Sequence, residues 1–536
     1  MKPLSTRFAA AAAFILAAGV MTAGAPPVTA ATPADTLVIA DRIDDIVSLD
    51  PAEVFEFAGG DATRNMYDKL VEFDPRNIGP LVGGLAESWT ISDDGMTYVF
   101  KIRQGVKFQS GNPMTAADAE FSLRRAIILK KTPSFILTQF GFNADNVAQK
   151  IRATGEFELT VTVDKPYAPT FFLYCLTATI GSIVDKNLAM SHEQDGDLGY
   201  EWLKTHSAGS GAYSLRSWKP SESYVLERND DYWRGKPPMK RVIVRHVAES
   251  ASQRLLVQKG DVDIARGLSP DDIAALRKVS GVKIEEDLKG RIWYFALNQK
   301  NPILANPDVI MAMKYLVDYK AIADNILRGQ VSVHEAYLPL TYLGAIKDTP
   351  YHLDVAKAKA LLAKAGYPNG FETTMHVRNA SDRLEVAQAM QATFAKAGIK
   401  VKLITGTGKQ TLAVYRARKH DIYMGLWGPD YPDPHTNADT FADNPDNRDE
   451  AKLTGKLAWR NSYFDPAMNK ATQAALIERD TEKRRKLYED AQRRWQKTSP
   501  FSVMFQQIIQ TAERDNVNNF VTGGAIANTY YWITTK

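Results

Sequence analysis

The 536-residue chain holds a single cysteine, Cys175. One thiol excludes an internal disulfide, a Cys-rich zinc site and an iron–sulfur cluster. Cys175 stands in the apolar run Phe171-Phe172-Leu173-Tyr174-Cys175-Leu176. A free cysteine in such a run behaves as a small hydrophobe and is expected in the core. An excess of charge of one sign is also missing. There are 66 Lys and Arg against 62 Asp and Glu, a formal net charge of +4. No Arg/Lys stripe with interleaved aromatics occurs, so sequence-independent nucleic-acid binding is excluded. Beyond the N-terminus there is no window of about 18 uncharged apolar residues, and so no candidate spanning helix.

Catalytic and metal-binding motifs are equally scarce. The eight histidines are scattered. The closest pairs, His192 with His206, His420 with His435 and His334 with His352, lack the spacing of a local metal pair. Gly406-Thr407-Gly408-Lys409-Gln410 hints at a phosphate loop. That motif needs Gly at 403 and Ser or Thr at 410, where Leu403 and Gln410 stand. His192-Glu193 and His334-Glu335 lack the second histidine of a zinc protease, with Gly196 and Leu338 in its place. No G-x-S-x-G elbow is present. The acid-rich stretch 443–450 lacks the alternating ligands and central glycine of a calcium loop, and reads as a solvated loop. The sequence therefore offers no catalytic residue, no metal ligand set and no cofactor site. It reads as a binder rather than an enzyme.

What is there is an ordinary folded composition: 45% hydrophobic, 24% charged, mean hydropathy −0.28. At about 150 residues per domain, the length suggests three to four domains. The first thirty residues have three parts. Lys2 and Arg7 are followed by an uncharged Ala/Leu/Ile/Val-rich run over 8–21, then small residues ending Val28-Thr29-Ala30-Ala31. This is the grammar of a secretory signal cut after Ala30. The run is shorter than the ~20 residues a spanning helix needs. No cysteine lies near the cut, so a lipid anchor is not expected, and Cys175 is too far along to carry one.

Strand and helix signals then alternate without tandem repeats, giving an α/β or α+β class. Leu37–Ala40 reads as a buried strand. Residues 62–73 read as a helix running into a strand. Residues 89–103 read as a hairpin turning at Asp93-Asp94-Gly95. Thr115 three residues before Asp118 marks a helix start. Residues 157–163, 224–229 and 241–247 read as strands, and 309–328 as one helix ending at Gly329. Helices are also expected over 355–365 and 384–397, with a strand at 399–404. Asp465-Pro466 opens a further helix.

Three segments in order, Leu85–Trp89, Ser92–Phe108 and Gly111–Asp118, resemble the signature of the family 5 extracellular solute-binding proteins. These are the peptide/nickel/opine-type receptors of ABC importers. Gly209-Ser210-Gly211-Ala212-Tyr213, Arg228-Asn229 with Tyr232-Trp233, Gly260–Ala265 and Ala356–Tyr367 agree, and the resemblance spans the mature chain. Ala212, where the family usually has Pro, and Met311-Ala312-Met313, where an Arg is common, are departures.

The resemblance implies an α/β, two-lobed periplasmic binding protein (type II, cluster C) with an extra inserted subdomain. After a signal peptide at 1–30, lobe I would comprise 31–75, 200–287 and 505–536. The inserted subdomain would be 76–199 and lobe II 288–504. Two lobes and one insert then replace the three to four domains suggested by length. The function implied is capture of short peptides or peptide-like compounds between hinged lobes and delivery to an inner-membrane ABC permease. The protein would be a periplasmic monomer that performs no chemistry and has no nucleic-acid partner. Alternatives on the same fold are an opine, a sugar conjugate or a nickel chelate as ligand, and a remote one is a secreted hydrolase.

Tyr423–Pro434 is the most informative stretch for the ligand: an apolar strand, an aromatic, an acid, then proline-bounded turns. Loops at strand ends commonly present binding groups. In peptide-binding members, an Asp in a similar W-x-x-D-Y segment pairs with the peptide α-ammonium, and by position that is Asp430. The competing role for Asp430 is to cap the following turn. Trp427 and Tyr431 either form a stacking wall or pack the strand to its lobe. A ligand carboxylate wants an arginine fork, for which Arg378 and Arg383 are candidates. His435, beside the acidic turn, is a further candidate contact.

Overall fold

Residues 32–74, 80–523 and 529–536 are described by the structure, a computed structural model. The 1–30 signal reading lies outside these residues. Most strands belong to one continuous sheet whose spatial order interleaves distant parts of the chain. From one edge it runs Lys400–Gly406, Glu372–Arg378, Ile422–Trp427, Val282–Leu297, Phe501–Arg514, Ile264–Ala265, Thr36–Asp41, Arg241–His246, Ser223–Arg228 and Tyr213–Lys219. The short strand Val331–Val333 pairs with Phe501–Arg514 off this path.

Two strands in the middle are long. Val282–Leu297 has 16 residues and Phe501–Arg514 has 14, and they pair antiparallel over most of their length. Their ladder breaks register between Leu288 and Ile292 and again between Trp293 and Tyr294. On one side of the break the sheet carries the N-terminal strand and its neighbours. On the other it carries the strands of the 372–427 region. A bulge bends the strand and raises the local twist, so the two halves of the sheet become the cores of two lobes. Separate apolar clusters follow that division. One surrounds Leu37, Ile39, Tyr67, Tyr213, Leu226 and Val242. Another surrounds Phe295, Leu316, Met375, Met390, Phe394 and Met424.

A second, four-stranded antiparallel sheet is separate: Ala86–Ile91, Thr97–Ile102, Glu158–Thr162 and Ile151–Gly155 in spatial order 86–91, 97–102, 158–162, 151–155. The expected hairpin is its first pair, with Ile91 opposite Tyr98. Gly95 takes φ +74° in the turn. Helix Ala116–Leu129 covers the sheet. It starts as the Thr115/Asp118 pattern predicts, the Thr115 N–H donating to Asp118 Oδ2 at 2.9 Å. This unit has its own core, with Tyr98, Phe100, Phe140, Phe171 and Phe172 at its centre. Cys175 is fully buried there, and burial raises its thiol pKa well above the usual value, so it is an inert core residue.

The turn at Gly209-Ser210-Gly211 shows why glycines stand there. A Cβ on Gly209 would lie 2.0 Å from the Met66 carbonyl oxygen, and one on Gly211 2.5 Å from the Met66 carbonyl carbon. Gly406-Thr407-Gly408, rejected as a phosphate loop, opens helix Gly408–Arg416. Thr407 caps it, and Gln410 returns a bond to the Thr407 N–H.

One expected helix differs. The 309–328 stretch is helical only over Pro307–Lys314, then resumes as the short turns Tyr319–Ala321 and Ile322–Ile326. The break buries Leu316 and Val317 completely. Asp318 then caps the resumed helix, accepting from the Ala321 N–H at 3.1 Å.

Candidate functional site

Three strands in the second lobe run parallel to one another: Lys400–Gly406, Glu372–Arg378 and Ile422–Trp427. In such sheets ligands bind outside the carboxyl ends of the strands. The carboxyl end of Ile422–Trp427 leads directly into Gly428-Pro429-Asp430. Its antiparallel neighbour places Ile292 opposite Trp427, so Arg291 stands level with Gly428.

A cavity of about 440 Å³ lies against this strand end, within the range of small-molecule sites, about 300–1,000 Å³. The second lobe contributes Leu426 to Asp430, Arg416 and Arg460. The opposite wall comes from the first lobe, with Val54 to Phe57, Gly60 and Arg64, and from the four-stranded unit, with Thr132, Pro133, Phe135, Ile136 and the 178–180 turn. The cavity therefore lies between the two lobes.

Two buried ion pairs hold the walls in place. On the second-lobe side, Arg484 donates to both oxygens of Asp433 at 2.8 Å, and both side chains are fully buried. Arg484 also donates to Thr170 Oγ1 of the four-stranded unit at 3.0 Å. On the opposite wall, Arg125 donates to both oxygens of Asp50, again fully buried. Asp50 in turn accepts from the Ala52 N–H at 2.9 Å. That pair fixes the root of the loop carrying Phe55, Glu56 and Phe57. Phe55 and Phe135 meet edge to face at 6.0 Å. Both stay more than a third exposed, as does Phe57, so the cavity has an apolar aromatic lip.

Asp430 is half-buried among these groups. Its N–H donates to Thr436 Oγ1 at 3.2 Å. Its carboxylate has no hydrogen-bond or ion-pair partner among the described residues. The capping role falls to Asp433 instead, which starts helix Pro434–Phe441 by accepting from the His435 N–H at 2.8 Å. Burial pushes the Asp430 carboxyl up to about 7. Asp439 adds to the rise, and Arg460 opposes it. A carboxylate in that state is stabilised by an incoming cation.

The other residues singled out from sequence are placed differently. Trp427 lines the cavity, and its ring meets Phe441 edge-on at 5.5 Å. Tyr431 is 3% exposed and packs 5.7 Å from Phe171 in the core of the four-stranded unit. His435 is buried against the same Phe171 ring at 5.0 Å. Burial lowers its pKa to about 4, so it is neutral. Arg378 ends its strand beside Gly408. Arg383 pairs with Asp382 at 3.1 Å and lies over the Trp293 ring at 5.3 Å. Neither arginine is a wall of the cavity.

Sequence reading missed Phe55, Phe57, Phe135, Arg64, Arg416 and Arg460. No short motif joins them, because they come from four separated segments. Among the described residues there is no group of three or more metal-ligating side chains suited to an ion, and no helix long and apolar enough to cross a membrane.

Comparison with known proteins gives the same picture at the level of the whole chain. The model of the bacterial extracellular solute-binding proteins, family 5, matches residues 80–449. The probable D,D-dipeptide-binding periplasmic protein DdpA of Escherichia coli (strain K12) is 30% identical over 514 residues, covering 94% of this chain and 95% of that protein. Heme-binding protein A of Haemophilus influenzae is 29% identical over 525 residues, covering 92% of each. The periplasmic binding protein DppA of Helicobacter pylori, solved in complex with the peptide STSA, superposes with a TM-score of 0.78 at 26% identity. That match covers 93% of this chain and 98% of the other.

Proposed function

The chain belongs to the family 5 bacterial extracellular solute-binding proteins, and from that premise we propose that it captures a short peptide or peptide-like compound between its lobes and delivers it to an ABC permease. The observation that carries this reading is the Asp430 carboxylate, which has no partner among the described residues, is destabilised by burial and stands in the wall of the inter-lobe cavity. An α-ammonium group is the natural partner for it, forming a charge-assisted hydrogen bond. The aromatic lip of Phe55, Phe57 and Phe135 accepts an apolar side chain, and Trp427 closes the floor beside the acid.

The lobes divide as 31–75, 200–287 and 505–536 for the first and 288–504 for the second, with 76–199 inserted in the first. The two crossings then fall inside the long strands Val282–Leu297 and Phe501–Arg514, near the register break. Bending there closes the cleft on the ligand, and the permease recognises the closed form. No chemistry is performed on the ligand. The protein works as a monomer in the periplasm after its signal is removed at Ala30, without a lipid anchor.

Isothermal titration calorimetry tests the ligand role of Asp430. Asp430→Ala is expected to weaken binding of free-amino peptides by several kcal/mol, the usual cost of truncating one partner of a buried charge pair, about 2–5 kcal/mol. Unchanged affinity for such peptides removes Asp430 from the site.

A further inference from the structure

The cavity holds more positive charge than a single ammonium–carboxylate ligand would need. Arg64, Arg416 and Arg460 line it, and none is in an ion pair among the described residues. Arg64 donates to the Tyr530 hydroxyl at 2.9 Å and to the Thr177 carbonyl. Arg460 donates to the Thr454 carbonyl at 2.7 Å and lies over the Tyr415 ring. The charged group acting on Arg416 with most effect is Arg460, which is of like sign.

Behind them stands Arg291. Its guanidinium carbon lies 4.1 Å from the centroid of Phe57, a cavity wall from the opposite lobe. A Cβ built on Gly428, a wall from its own lobe, would come within 3.8 Å of its Nε. Arg291 donates no hydrogen bond and has no acidic neighbour among the described residues. The one charge that perturbs it is Arg383. Other arginines drawn into the interior of this protein have a carboxylate in reach. Arg125, Arg266 and Arg484 are each paired with one or two aspartates.

A part-buried guanidinium with no carboxylate of its own, under the repulsion of a second guanidinium, is an arrangement that an oxyanion relieves. The face of one phenyl ring compensates weakly for that burial. Burial, with Arg383 contributing, accordingly lowers the Arg291 pKa to about 10.

We infer that Arg291, supported by Arg383, is the carboxylate subsite of this cleft, and that the ligand is a net-anionic peptide-like compound bearing more than one carboxylate. The inference rests on the peptide-like reading of the site. Its ammonium end meets Asp430, one carboxylate lies on Arg291, and a further carboxylate meets the arginines of the wall, Arg416 and Arg460. Net charge follows from the count. Against Asp430 and Glu56 the cavity sets Arg64, Arg416 and Arg460 in its wall and Arg291 directly behind.

Calorimetry on the full mature protein tests this with three dipeptide panels, X-Glu, X-Gln and X-Gln amide, with X varied over the uncharged side chains. These carry net charges of −1, 0 and +1 at neutral pH. Affinity is expected to fall about tenfold or more at each step. Arg291→Gln is expected to erase most of one step. It should leave the thermal midpoint of the ligand-free protein unchanged or higher, because the guanidinium has no hydrogen bond to lose among the described residues. Equal affinity across the three panels, or full affinity of Arg291→Gln for X-Glu, overturns the inference while leaving peptide binding intact. Failure of every member to bind removes the peptide-like reading and the inference with it.

Discussion

Asp430 is a carboxylate kept partly out of water with no partner among the described residues, and that has consequences in both the empty and the filled protein. Its folded pKa, about 7, is above the unfolded value of about 3.9. The folded state therefore binds a proton more tightly, and stability of the empty protein declines as pH rises from about 4 to about 7. Asp430→Asn removes this decline. In thermal or urea unfolding at pH 8, the empty variant is expected to be more stable than wild type by about 1–3 kcal/mol, less than the full shift implies because the group is partly exposed. Ligand affinity runs in the opposite sense. A cationic amine needs the ionised acid, so affinity should rise with pH up to about 7 and fall again as the ligand's α-ammonium loses its proton at about 8. Calorimetry across pH 5.5–8.5 (conditions chosen to span about one and a half units each side of 7) should show that rise in wild type and lose it in Asp430→Asn.

Residue by residue, the site was only partly legible beforehand. Trp427 and Asp430 lie on one contiguous strand-to-loop segment, so their proximity is written in the sequence. Tyr431 and His435 share that segment, but the chain turns after Asp430 and sends both side chains toward Phe171. Alternation along the segment does not reveal which way a proline-bounded turn faces. Arg291 is a lone arginine before the apolar run Ile292–Leu297, and in sequence it looks like any surface arginine. Only the pairing of Ile292 with Trp427 brings it level with Gly428.

At the scale of elements, local chemistry decided what could be foreseen. The hairpin turn, the Thr115/Asp118 start and the Asp465-Pro466 start are set by neighbouring residues, and all occur where expected. Asp465 caps its helix by accepting from the Ala467 N–H at 2.9 Å. The break at Leu316-Val317 is set by what surrounds the helix, and helical periodicity along 309–328 conceals it. The placement of helix Thr481–Thr498 is likewise tertiary. Its residue Arg484 reaches Asp433 and Thr170, and so ties the loop after strand Ile422–Trp427 to the four-stranded unit. Arg484→Ala strands the fully buried Asp433 charge. It is expected to cost about 3–5 kcal/mol in chemical unfolding of the empty protein. The double variant with Asp433→Ala should cost clearly less than the two single losses added together, since the charges are removed as a unit.

For the whole molecule, the long paired strands Val282–Leu297 and Phe501–Arg514 are the mechanical link. They belong to both halves of the sheet, and their register break is the natural place to bend. The walls of the cavity are divided between the halves: Asp430, Trp427 and Arg460 on one side, Phe55, Phe57 and Arg64 on the other. A ligand that touches both sides stabilises the closed form in proportion to its differential contacts. Small-angle scattering should show a smaller radius of gyration with saturating ligand. The thermal midpoint should climb with ligand concentration as mass action requires, by about 2.7 kcal/mol of stability at one hundred times Kd.

Mass spectrometry of the molecule released on denaturing the freshly purified protein tests the central claim most directly. A short peptide or peptide-like compound with a primary amine is predicted from wild type, and it should be absent from Asp430→Asn purified in parallel. A sugar phosphate, a metal complex or an amine-free molecule, retained equally by both proteins, would contradict it.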